Sequence, residues 1–279
     1  MAQGVARHRQ ALTGLAALVP LIFTGAMFVV PLVALAIRAG DDADGTTLVE
    51  SWRRTDALWL LGVTAGQASA SAVLTVLVAA PIVWLVATVD IPGGLPLRVL
   101  VTLPFVLPTV VVGVAFRALL SGPLAFLGLQ TGLAAILAAH VFLNVAVVVR
   151  VVSAVWQQID PRAMAAARVL GASPIRAFVD VVWPRLLPAV VASAALVFLF
   201  CSTSFGVIVI LGDGKVRTLE TEIYQQGIGY FRIPEAVALS FLQILLVVAA
   251  LAVSRVLARR VPATGDRPAA RRRPSGSGW

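Results

Sequence analysis

The polar side chains set deepest in the apolar stretches of this chain are Gln67, Arg117, His140, Asn144, Arg150, Ser202, Thr203, Ser204 and Gln243. Amides, hydroxyls and one imidazole make hydrogen bonds, and no Asp or Glu lies well inside any apolar stretch. Proton or sodium coupling therefore lacks the ionisable residue it normally needs. The two histidines, His8 and His140, and the single cysteine, Cys201, form no zinc or haem pattern, so no metal site is expected. Neither Gly-x-Ser-x-Gly, His-Glu-x-x-His nor an intramembrane Asp pair occurs, which leaves an intramembrane enzyme without a catalytic residue. The inventory instead fits joints between helices: His140 and Asn144 are four apart on one helix face, as are Gln67 and Ser71, a spacing suited to interhelical hydrogen bonds. Arg117 and Arg150 sit near the ends of their stretches and can snorkel to an interface, while Cys201 reads as a small buried hydrophobe.

The elements that must hold these residues are membrane helices. Of 279 residues 59% are hydrophobic and 13% charged, against about 25% charged in soluble domains. The mean hydropathy is +0.96. Six apolar segments, 11–37, 58–88, 99–120, 133–156, 187–211 and 236–257, each exceed the ~18 residues that signal a span. The prediction is an all-α membrane protein of six transmembrane helices lying in a lipid bilayer. Prolines 104 and 108 would break or bend the third helix, and the small residues of 65–72 and 189–195 suit closely packed interior helices.

Charge sets the orientation. The net charge is +9, but the arginines are spread between apolar segments instead of forming a patch, so nucleic acid is not an expected partner. Assigned to alternate sides, 15 of the 22 basic residues fall with the two termini, and the other side holds most of the acids. The termini are therefore expected in the cytoplasm. The organisation read from the sequence is a cytoplasmic N-terminus over 1–10, a first transmembrane helix over 11–37, a five-helix core over 58–257, and an Arg-, Pro-, Gly- and Ser-rich disordered cytoplasmic tail over 261–279.

The cytoplasmic connection 157–184 is long and organised. Asp160 can cap a helix with Pro161 at its first position, Gly171 supplies a stop, and Ser173-Pro174 starts a second helix running to about Trp183. Exposed apolar residues on this pair (Met164, Val169, Leu170, Ile175, Phe178) call for a partner to cover them.

The segment Ala165-Ala166-Ala167-Arg168-Val169-Leu170-Gly171, followed by Ala172-Ser173-Pro174 and Trp183-Pro184, resembles the cytoplasmic signature of permease subunits of ATP-binding-cassette importers of the type I (MetI-like) fold. The signature's Glu is replaced by Ala165. The resemblance takes in His140 to Asn144, Leu103 to Pro108 and Thr203 to Gly206, and extends over roughly residues 58–257. It implies a permease subunit of the bacterial plasma (inner) membrane that forms a translocation pathway and performs no hydrolysis itself. A coupling loop of Arg162, Ala163, Met164, Ala165, Ala166, Ala167, Arg168, Leu170, Gly171, Ala172, Ser173 and Pro174 would dock a cytoplasmic ATP-binding subunit, with the arginines steering towards acidic groups. No phosphate loop occurs here, since Gly212-Asp213-Gly214-Lys215 lacks its spacing, so ATP would be bound by that partner and no cofactor is expected in this chain.

The other implied partners are an extracytoplasmic substrate-binding protein and a second permease copy or paralogous half. The stretches 200–214 and 219–225 look most like the branch importing thiamine or ferric iron, whose members often fuse two six-span halves. Ser202, Thr203, Ser204 and Phe205 are then the expected lining of the translocation path, with Phe205 as a gate. The competing reading, a secondary transporter, would need a coupling carboxylate and usually about twelve spans.

Overall fold

The computed structural model describes residues 18–27, 29–31, 33–34, 37, 47–88, 103–105 and 107–260. The expectations for 1–10 and 261–279 lie outside them. The described residues form helices and connections, with no strand among them. In chain order the helices are α1 (Leu18–Pro31), α2 (Leu48–Arg54), α3 (Ala57–Thr88), α4 (Thr109–Ser121), α5 (Leu133–Trp156), α6 (Pro161–Val169), α7 (Pro174–Ser202), α8 (Gly206–Leu211), α9 (Leu219–Tyr224) and α10 (Ile233–Arg260). Helices α3, α5, α7 and residues 233–257 of α10 are long and apolar enough to cross a membrane, while α1 and α4 are shorter apolar helices. Lipid explains why the helix dominates: with no water in the hydrocarbon, each backbone N–H and C=O must be satisfied within its own segment.

The described residues fall into two compact units, those within 1–59 and 222–243 and those within 60–221 and 244–279. In the first, Thr47 caps α2 by accepting from Glu50 N, the Trp52 indole Nε1 donates to Ala238 O at 2.8 Å, and Arg54 meets Glu50 at 3.4 Å and Glu235 at 3.8 Å.

The second unit has two cores. Ala68, Ala72, Ala79 and Val83 of α3 pack with Val148, Val149 and Val152 of α5 and with Leu186, Ala189, Val197 and Cys201 of α7. Small side chains on α3 allow the close backbone approach that holds helices together in lipid, where dispersion and hydrogen bonds replace the hydrophobic effect. The other core joins Val112 and Leu120 of α4, Ile136, Ala139 and Leu143 of α5, and Val207, Ile208 and Leu211 of α8.

Three features differ from a uniform six-span reading. The apolar segment 99–120 is interrupted at its prolines: a helical turn covers 103–105, Leu107 and Pro108 leave the helix, and α4 begins at Thr109. The expected fifth span, 187–211, is neither one helix nor separate from the preceding loop. Residues Phe178–Val182 form a π-helical turn that fuses the short second helix of the loop into α7, and the chain leaves the helix at 203–205 before α8. The segments 41–56 and 212–235, read as connections, contain α2, α9 and a second π-helical turn at Gln225–Gly229.

Candidate functional site

Helix α6 is built as its sequence dictates. The Asp160 carboxylate accepts from Arg162 N at 2.9 Å, Pro161 occupies the first turn, and the last turn closes through Gly171 N to Arg168 O and Ala172 N to Ala167 O. Gly171 has φ +91°, the left-handed stop for which glycine is the inexpensive residue. Ser173 Oγ accepts from Arg176 N at 3.3 Å and opens α7 with Pro174 next. On this pair Arg162, Ala165, Ala166, Arg168, Leu170, Gly171, Ser173 and Pro174 are exposed, and Ala163, Met164, Ala167 and Ala172 are half-buried. The apolar residues divide in a way the sequence reading missed. Val169, Leu170 and Ile175 are 87%, 88% and 78% exposed. Met164 and Phe178 instead pack against the core, Phe178 meeting the Trp156 ring at 5.6 Å. Arg176 pairs with Asp180 at 3.6 Å on the open surface, where such a pair contributes ~0–1 kcal/mol.

The break at 203–205 follows from three consecutive hydroxyl residues. Ser202 Oγ and Thr203 Oγ1 both donate to Leu199 O at 3.0 Å, competing with the backbone for that carbonyl. Gly206 then lets α8 lie against the start of α4: a Cβ there would fall 2.7 Å from Val110 Cγ2 and 2.9 Å from Val110 N. Of the expected path residues, Ser202 and Ser204 are buried, Phe205 is half-buried and Thr203 is exposed. The structure thus separates the hydroxyls, turning two inward among helices and one outward.

What Ser204 meets is a buried polar node. His140 stands between two serines, with Ser71 Oγ 3.1 Å from Nδ1 and Ser204 Oγ 3.0 Å from Nε2. Each hydroxyl can donate or accept, so either imidazole tautomer is satisfied. One turn along α5, Asn144 Nδ2 donates to His140 O at 2.8 Å and lies 3.6 Å from Cys201 Sγ. One turn before Ser71, Gln67 Nε2 donates to Cys201 O at 2.8 Å, adding a bond to a carbonyl at the helix break. Gln67 Oε1 is buried with no hydrogen-bond partner. Every member of the node is at most 6% exposed.

The i,i+4 pairs Gln67/Ser71 and His140/Asn144 were legible as hydrogen-bonding faces, but the role of Ser204 and the Cys201 carbonyl as their targets was not, because the break beside them combines the hydroxyl run with the long-range contact of Gly206 with α4. At the other end of α8, Arg117 Nη1 donates to Ile210 O at 2.8 Å and Nη2 lies 3.5 Å from Asp213. The arginine of α4 thus caps the end of α8. Among the described residues no group of His, Cys, Asp and Glu could hold a metal ion.

Residues 92–262 match the model of a family described as the binding-protein-dependent transport system inner membrane component. Among curated relatives, the thiamine transport system permease protein ThiP of Brucella abortus is 34% identical over 245 residues, covering 82% of this chain and 44% of the relative. The chain therefore spans less than half the length of that protein. The putative 2-aminoethylphosphonate transport system permease protein PhnU of Salmonella typhi is 26% identical over 232 residues, 76% of this chain and 79% of the relative. Among solved structures, a chain of a bacterial ABC transporter involved in the import of the acidic polysaccharide alginate superposes with a TM-score of 0.74 at 16% identity, covering 91% of this chain and 97% of its own. A chain of the inward-facing MetNI methionine ABC transporter gives 0.61 at 18% identity, over 74% and 97%. At those identities the structures speak for a shared fold, and with the family match over 92–262 the chain belongs to the inner-membrane components of binding-protein-dependent transport systems, the permeases of ABC importers.

Proposed function

We propose that this chain is one of two transmembrane subunits lining the path of an ABC importer, driven by a separate cytoplasmic ATPase that docks on the 157–184 helix pair and supplied by an extracytoplasmic binding protein. The observation that carries the reading is the capped α6–turn–α7 pair, which holds Val169, Leu170 and Ile175 outward between the end of α6 and the first turn of α7. An apolar knob of this kind suits burial in a groove of another protein. Mechanically, α7 continues from that surface through Ser202. At about 1.5 Å per residue, its 29 residues carry a displacement at Pro174 to the break at 203–205. The six-span topology with both termini inside rests on the basic-residue asymmetry.

The cargo is thiamine or ferric iron. Support comes from the ThiP relatives and from the neutral, hydroxyl-bearing character of 202–204, which suits a cargo passed on without tight binding. A second reading, 2-aminoethylphosphonate, is favoured by one observation: this chain covers 79% of PhnU but 44% of ThiP. Uptake of labelled thiamine, ferric iron and 2-aminoethylphosphonate by cells with and without the gene separates the cargoes. Uptake should stop when ATP is depleted and persist when the proton gradient is collapsed at constant ATP. Loss with the gradient alone would instead mark a secondary transporter.

A further inference from the structure

We propose that His140 is a positioning residue for transport: it acts through Ser204 to latch the helix break at 203–205, and the nucleotide-driven movement of α7 must open this latch before the path can. The inference rests on the reading of the chain as an ATPase-coupled permease.

Three elements converge on one imidazole. Ser71 of α3 and Ser204 of the break occupy its two ring nitrogens at 3.1 and 3.0 Å, and His140 itself is 1% exposed on α5. The break cannot shift relative to α5 without parting Ser204 from Nε2, or relative to α3 without parting the Cys201 carbonyl from Gln67 Nε2 at 2.8 Å. These bonds therefore oppose movement at the break that separates α7 from α8. Helix glue alone would join regular helices to each other. Here one bond ends on the irregular segment, at Ser204 Oγ, and the other on Cys201 O in the last turn of α7 beside it, so both hold the place where the helix stops.

Cys201, the single cysteine and 0% exposed, reports on the latch without engineering. In the purified chain in nanodiscs, the thiol should react slowly with a small water-soluble thiol reagent. Ser204→Ala and His140→Phe should each raise the rate about fivefold or more, as loss of a buried hydrogen bond does for a locally opening segment. Ser204→Thr, which keeps the hydroxyl, should return the rate towards wild type. Loss of the whole fold is told apart by a second reporter, Val197→Cys in a Cys201→Ser background, one turn earlier and also 0% exposed. It stays protected if only the break loosens. In the complex with its ATPase, Ser204→Ala should also raise ATP hydrolysis in the absence of cargo and binding protein.

Equal Cys201 reactivity in wild type, Ser204→Ala and His140→Phe overturns the latch, and so does a faster thiol with unchanged cargo-free hydrolysis. Failure of any ATPase to bind the wild-type chain overturns the functional reading instead, while the thiol rates still decide whether His140 holds the break.

Discussion

A methyl group on Gly206 would sit 2.7 Å from Val110 Cγ2 and 2.8 Å from Thr109 Oγ1, so Gly206→Ala forces α8 away from α4. Overpacking of this kind costs ~1–3 kcal/mol, and a lower thermal midpoint of the detergent-solubilised chain is the expected outcome. Gly113, on the same seam, has more latitude because its nearest neighbours are the Ile210 side chain at 3.2 Å, which can shift by a few tenths of an ångström. Gln67→Leu should destabilise by only ~1 kcal/mol, since hydrogen bonds between membrane helices average about 0.6 kcal/mol and the change also removes the orphaned Oε1. Outside the membrane-spanning segments, burial raises the carboxyl of Glu220 above its ordinary value of 4.5. The proton is thus held more tightly in the folded chain than in the unfolded one, and the associated stability is present in full below the unfolded value and lost as pH rises through the folded one. A thermal midpoint that falls over this window in wild type but not in Glu220→Gln is the result to look for. At this scale the sequence disclosed which side chains could bond but not to what: Asn144 and Gln67 were readable as amides on helix faces, whereas the carbonyl of Cys201 becomes a target only where the helix breaks.

Spans 58–88 and 133–156 were legible almost to the residue because each is uniformly apolar and bounded by polar or glycine-rich chain. The fifth span was not. Hydropathy stays high from Leu187 through Leu211, and nothing in that average marks the tertiary contact of Gly206 that permits the break, nor the π-helical turn at Phe178–Val182 that joins the loop's second helix to α7. The caps of α6 and α7 were legible because Asp-Pro and Ser-Pro are local signals, satisfied within three residues of themselves. Which apolar side chains of the pair face outward was not, since Met164 and Phe178 are drawn in by long-range partners. For the docking surface so defined, Ala166→Glu sets a charge on an exposed face of α6 and should weaken ATPase binding while leaving insertion and folding intact. Gly171→Val acts differently, through backbone strain at φ +91°, and should cost ~1–2 kcal/mol of local stability. It should therefore raise protease sensitivity within 157–184 as well as lower transport.

For the molecule as a whole, a membrane path joined to a cytoplasmic motor requires the 157–184 helix pair to face the cytoplasm. In a Cys201→Ser background, Thr221→Cys should react with an impermeant thiol reagent from outside the cell, and Ala172→Cys only after permeabilisation. The reverse pattern would remove the docking surface from the cytoplasm. The proposed motor contact then rests on the outward knob of Leu170, 88% exposed and touching no core, so a charge there should leave the fold alone. The most direct test is affinity purification of the chain from its own membranes, wild type against Leu170→Asp, with the ATP-binding subunit quantified in each eluate. The account predicts an ATPase at near-stoichiometric yield with wild type, and at least about tenfold less with Leu170→Asp at unchanged insertion, as loss of a buried apolar anchor implies. An ATPase retained equally by both, or absent from both, would contradict it.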